Sequence, residues 1–236
     1  MAEHRLELGA ARGRFRQPCQ TLDLDMDISV SVLIDRCADQ IREHADTLTA
    51  LDQAIGDGDH GINMRRGLDA VEASRNEIEP LAIGPALEKI GMTLVMNVGG
   101  ASGPLYGSLL IGMGKNLTTA LDLPAVRKAF RAGIEMVQQR GRSQAGEKTL
   151  LDVLLPVADS LEAIDADPGP DAIQELVATA RNGMESTKML QATKGRAAFL
   201  GERSVGHIDP GAMSSCLLIE SICQVVAQWL RGRDSE

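Results

Sequence analysis

Apolar residues recur at helical spacing along most of the chain. Val30, Leu33, Ile34, Cys37, Ile41, Ala45 and Leu48 fall on one face of a first helix, which runs on to Asp52. A second is marked by Ile62, Leu68 and Val71, and a third by Ile83, Leu87, Ile90 and Leu94. A fourth follows the turn at residues 97–107, and Pro124 opens a fifth through Val126, Phe130, Ile134 and Val137, with Gly141 expected as its C-terminal cap. A sixth, expected to kink at Pro156, a seventh through Ile173, Val177, Ala180 and Met184, and an eighth through Cys216, Cys223, Ala227 and Leu230 complete the pattern. No stretch alternates as a half-buried strand would.

This pattern predicts an all-α fold. Eight amphipathic helices with short connections form an antiparallel barrel or bundle, and the glycine-rich loops gather at one end of it. The domain is expected to span residues 28–232. Residues 1–27 carry Arg, Glu and Gly without any period, then the acidic run Asp23, Asp25, Asp27, and read as a disordered extension.

Composition narrows the function by exclusion. The net charge is −9 and aromatic residues make up 2% of the chain, so neither a basic groove nor a stacking surface for nucleic acid is expected. The same charge argues against an anionic membrane surface, and no segment reads as a membrane span or a signal peptide. Cys19, Cys37, Cys216 and Cys223 form no C-x-x-C pair, and a reduced, cytoplasmic protein is expected.

The chemistry concentrates in residues 48–67, LTALDQAIGDGDHGINMRRG. Asp52, Asp57 and Asp59 lie within eight positions, and Gly56, Gly58 and Gly61 let the chain turn so that the carboxylates converge. Carboxylates that close repel one another unless a cation lies between them. Hard oxygen ligands from a tight loop suit Mg²⁺, which commonly bridges carboxylates to phosphates. The other reading is an Asx/Gly turn that caps the next helix, with Asp59 or His60 as the N-cap. The turn NVGGASGPLYG at 97–107 could aim successive N–H groups at a phosphate, with Ser102 adding a hydroxyl, or could serve only close helix packing. Lys148 and Asp152, four residues apart, read as a surface pair. Arg196 and Arg203 in the long loop 194–212 could meet phosphate or be solvated loop charges. No constellation suggests a pocket for a phosphoryl acceptor.

Four blocks together carry a resemblance. LTALDQAIGDGDHGINMRRG, NVGGASGPLYGSLL, GEKTLLDVLLPV and KGRAAFLGERSVGHIDPGA stand in the order of the signature segments of the L-subunit family of dihydroxyacetone kinases, across residues 28–231. The resemblance implies a nucleotide, ADP or ATP, at one end of an eight-helix barrel, with two Mg²⁺ ions between its phosphates and Asp52, Asp57 and Asp59. It further implies nucleotide contacts at His60, Gly61, Ile62 and Asn63, at Ala101 and Ser102, at Gly141 and Leu150, and at Arg196, Asp209, Pro210 and Gly211. A separate K subunit would hold dihydroxyacetone, in keeping with the missing acceptor pocket. In one branch of the family a phosphotransferase-system protein recharges a retained ADP; in the other ATP exchanges from solution. Glu147 and Phe199 depart from the family's usual Asp and Tyr. An ATP-exchanging kinase subunit for another three- or four-carbon sugar, and a nucleotide-binding regulatory module without catalysis, remain as alternatives.

Overall fold

The protein is described here from a computed structural model, which describes residues 29–117, 121–164 and 169–233. The stretch 1–27, expected to be disordered, lies outside these residues. Among the described residues there are ten α-helices, two 3-10 segments and no strand. The helices are α1 (Val30–Glu43), α2 (Ala45–Ile55), α3 (His60–Ala73), α4 (Arg75–Ile78), α5 (Ile83–Asn97), α6 (Ser102–Asn116), α7 (Leu123–Gly141), α8 (Leu151–Ala163), α9 (Pro170–Ser186) and α10 (Pro210–Arg233).

Eight of them close a ring. The packing runs α1 to α3, α5, α6, α7, α8, α9 and α10, and α10 returns to α1. Each helix therefore buries its apolar stripe towards a common interior, where Ile41, Leu48, Met64, Val71, Ile134 and Leu151 have almost no exposed surface. The two helices outside the ring are α2, which packs on α3, and the single turn α4.

Three sequence expectations need correction. The first predicted helix is two helices, because His44 takes a non-helical backbone (φ −103, ψ 8) and its ring Nδ1 lies 3.0 Å from the Gln40 carbonyl. Apolar periodicity passes over that one-residue break unchanged. Gly141 is the last residue of α7, and the left-handed cap falls on Arg142 (φ 47). Finally, Pro210–Gly232 is long and apolar enough by composition to cross a membrane. Its contacts with α1, α8 and α9 account for that composition, since it closes the core.

Candidate functional site

The acidic loop is organised by Asp52. This residue sits in the last turn of α2 and is buried, and its Oδ2 accepts the backbone N–H groups of Asp59 (2.8 Å) and His60 (3.1 Å). A carboxylate from the preceding helix thus caps α3. Asp59 occupies the N-cap position, as the capping reading expected, but its side chain makes no capping bond and Asp52 supplies the carboxylate instead. The two N–H groups that Asp52 takes are also unavailable to a phosphate, so the start of α3 offers less than its dipole alone suggests.

Of the three glycines expected to turn the chain, only Gly58 is left-handed (φ 77). Gly61 acts by close approach. A Cβ there would lie 1.9 Å from the Ala45 carbonyl oxygen, so the absent side chain is what lets α3 press against α2. That contact, with the cap, fixes the short loop between the two helices.

On this frame the three carboxylates converge. Asp52, Asp57 and Asp59 each offer a ligand oxygen, and these atoms lie within 4.8 Å of one another. Asp57 and Asp59 are exposed while Asp52 is not, so one firm ligand is joined by two that face solvent. Three hard oxygens converging in this way fit Mg²⁺, with water completing the shell. The Arg196 guanidinium reaches the outermost carboxylate, 3.0 Å from Asp57 Oδ2.

The triad opens into a cleft of about 600 Å³. Along it lie His60, Ala101, Ser102, Gly141, Leu150 and Arg196, with Asp209, Pro210 and Gly211 from the start of α10. The remaining three expected contacts point elsewhere. Gly61 is packed against α2, Ile62 is half exposed, and Asn63 is buried with its Oδ1 accepting from Arg66.

His60 ties three helices together. Its Nδ1 lies 3.1 Å from Ser102 Oγ at the start of α6, and its Nε2 lies 2.9 Å from Ser214 Oγ in α10. Behind Ser214, the Tyr106 hydroxyl donates to the Gly211 carbonyl (3.0 Å) and lies 2.7 and 2.8 Å from the hydroxyls of Ser214 and Ser215. Burial lowers the imidazole pKa, with the charges of Asp52 and Asp59 opposing the shift. An imidazole bonded on both nitrogens braces α3 against α6 and α10 while still lining the cleft.

Further along the cleft, residues that the sequence marked take other partners than expected. Lys148 is fully buried, contrary to the expected surface pair. Its Nζ donates to the carbonyls of Thr187 (2.5 Å) and His207. Asp152 turns back on its own loop and accepts from the N–H groups of Gly146 (2.5 Å) and Thr149 (2.7 Å). Asp209 caps α10 by accepting the Ala212 N–H (2.8 Å), and burial pushes its carboxyl up to about 7. Burial lowers the Lys148 pKa, against the opposing charges of Asp209 and Asp152. Tyr106 and Ser214 left no sequence signal of their own, because each is an ordinary helix residue until the fold supplies its partners, and Lys148 signalled only a surface pair.

A family model described as "DAK2 domain" matches residues 54–224. The ADP-binding subunit DhaL of PEP-dependent dihydroxyacetone kinase 1 from Listeria innocua is 45% identical, over 79% of this chain and 90% of that protein. The corresponding subunit of the PEP-dependent enzyme from Escherichia coli is 40% identical, over 79% of this chain and 91% of that protein. Among solved structures, the dihydroxyacetone kinase of C. freundii in complex with AMP-PNP and Mg²⁺ superimposes with a TM-score of 0.65 at 20% identity. That match covers 95% of this chain and 37% of the larger protein, and it shows the shared fold.

Proposed function

The chain belongs to the DAK2 domain family, and on that premise we propose that it is the nucleotide-binding L subunit of a dihydroxyacetone kinase. The observation that carries the reading is the convergence of Asp52, Asp57 and Asp59 to within 4.8 Å at one end of a cleft of about 600 Å³. That volume suits a nucleotide, since small-molecule sites commonly enclose roughly 300–1,000 Å³.

In this reading the chain binds ADP or ATP with two Mg²⁺ ions and delivers a phosphoryl group to dihydroxyacetone held by a separate K subunit. A phosphotransferase-system phosphoprotein recharges the bound nucleotide, and the complex works in the cytoplasm. Magnesium at the triad would supply the positive charge that phosphoryl transfer needs as negative charge builds on the leaving group. The chain's own residues do the positioning. Asp52 holds the loop while offering a ligand oxygen, Asp57 and Asp59 complete the donor set, and His60 braces the Ser102 turn against α10. Arg196, its side chain 73% exposed at the start of the 3-10 segment Arg196–Ser204, can leave Asp57 for a phosphate. With no acceptor pocket evident in its sequence, the chain needs a partner to complete the reaction.

The test is to purify the protein without added nucleotide, denature it, and assay the released small molecules and metal. Stoichiometric ADP with about two Mg²⁺ per chain is expected, as phosphates clamped between carboxylates require. An empty site that binds Mg-ATP reversibly would move the reading to the exchanging kinase branch. A chain that binds no nucleotide in either condition would refute it.

A further inference from the structure

Two unfavourable features coincide at Lys148. Its backbone is left-handed (φ 60), a conformation disfavoured for a residue with a side chain. Its side chain is 1% exposed, and a buried ammonium is strongly disfavoured unless its protons find partners. Those partners are backbone carbonyls from two distant segments, Thr187 in the 3-10 turn Thr187–Met189 and His207 before α10. A lysine serving only solubility or a surface ion pair requires neither.

The bonds radiating from Lys148 define one unit. Thr187 Oγ1 accepts the Asp209 N–H (3.0 Å), and the Gly206 N–H donates to the Lys188 carbonyl (2.7 Å). Asp209 in turn starts α10 through Ala212. Two residues beyond Lys148, Leu150 stands so near the α10 start that a Cβ on Gly211 would lie 3.7 Å from its own. Lys148 therefore sets the spacing between Leu150 and the segment Asp209, Pro210 and Gly211, which face the cleft together. The cleft lining is of two chemical kinds. Leu105, Leu150 and Pro210 add apolar surface suited to a flat, weakly polar group, whereas the carboxylates and the Ser102 turn suit metal and phosphate.

We propose that Lys148 is a positioning residue for the nucleoside part of the nucleotide, holding the walls on either side of the base and ribose while leaving the phosphate end unchanged. This rests on the proposed nucleotide-binding function and adds a division of labour within the cleft.

Calorimetric titration of Mg-ADP and of Mg-pyrophosphate into wild type and Lys148→Met tests it, after EDTA has removed metal and any copurified nucleotide. The variant keeps the length of the side chain and removes the donors. Affinity for Mg-ADP is expected to fall about tenfold or more, the scale of a lost charged hydrogen bond, while Mg-pyrophosphate binding stays within about twofold. An unchanged Mg-ADP affinity would overturn the proposal alone, and so would an equal loss for both ligands, which would mark Lys148 as a general fold residue. A wild-type chain that binds neither ligand would remove the proposal together with the function it rests on. Should the variant not fold, hydrogen exchange on wild type decides. Mg-ADP is expected to slow exchange at the Gly206 and Asp209 amides and Mg-pyrophosphate is not; equal protection by both would also overturn the proposal.

Discussion

The two ends of the cleft are built in opposite ways. At the acidic end, three carboxylates come from eight consecutive positions, and two of them are exposed. At the other, Lys148, Thr187, His207 and Asp209 come from three separated segments, and the charge that joins them is buried. The difference separates what a site spends on function from what it spends on structure. Exposed like charges destabilise nothing badly in water and wait for a cation. A buried ammonium must be satisfied by the protein itself, so its neighbours cannot move independently. Asp52 belongs to both types, because one oxygen caps a helix while the carboxylate still faces its two companions.

That contrast can be broken at several points. The largest effect is expected where the acidic loop rests on its scaffold. Gly61→Ala puts a methyl group 1.9 Å from the Ala45 carbonyl oxygen, and urea unfolding should show a loss of about 3 kcal/mol, the upper range for overpacking a close contact. Asp57→Ala should do the reverse. Its side chain is exposed, so circular dichroism and the melting temperature should hardly change, while Mg-dependent nucleotide affinity falls by about a hundredfold, the upper range even for residues that merely support metal ligands. If Mg-ADP binds Asp57→Ala as it binds wild type, the metal assignment is lost.

Asp52→Ala should combine both behaviours. Loss of the bonds to the Asp59 and His60 N–H groups should lower stability by about 1–2 kcal/mol, as for other helix caps, in addition to weakening metal binding. A variant that weakens metal binding with unchanged stability would show that Asp52 belongs wholly to the acidic type.

The contrast can also be probed through pH at the buried end. Burial holds the Asp209 carboxyl at about 7 in the folded chain, above its ordinary value of 3.8. The folded state thus keeps this proton when the unfolded chain has lost it. The resulting stability is fully present below about pH 4 and is lost as pH rises towards 7, at no more than about 1.4 kcal/mol per pH unit for one proton. Asp209→Asn should flatten that slope in chemical unfolding followed from pH 4 to 7; an unaltered slope would place the titration elsewhere.

The sequence by itself determined the helices of the ring and the acidic end of the cleft. Helical periodicity is a local property, and residues three or four apart share a face whatever the rest of the chain does. Asp52, Asp57 and Asp59 are likewise near neighbours in sequence, so their mutual repulsion was legible before any fold was known. It also carried the four ordered blocks behind the family resemblance. Tertiary structure alone decided what each polar group meets. Asp59 holds the N-cap position, yet Asp52 supplies the capping carboxylate because α2 ends where that side chain faces the first N–H groups of α3. Lys148 left its expected partner Asp152 because that carboxylate was already held by Gly146 and Thr149, while carbonyls from residues 187 and 207 stood within its reach. His60 became a strut only when α6 and α10 brought Ser102 and Ser214 to its two nitrogens. Hydrogen bonds act over about 3 Å, and no spacing along the chain reports which distant groups the closed ring will bring that near.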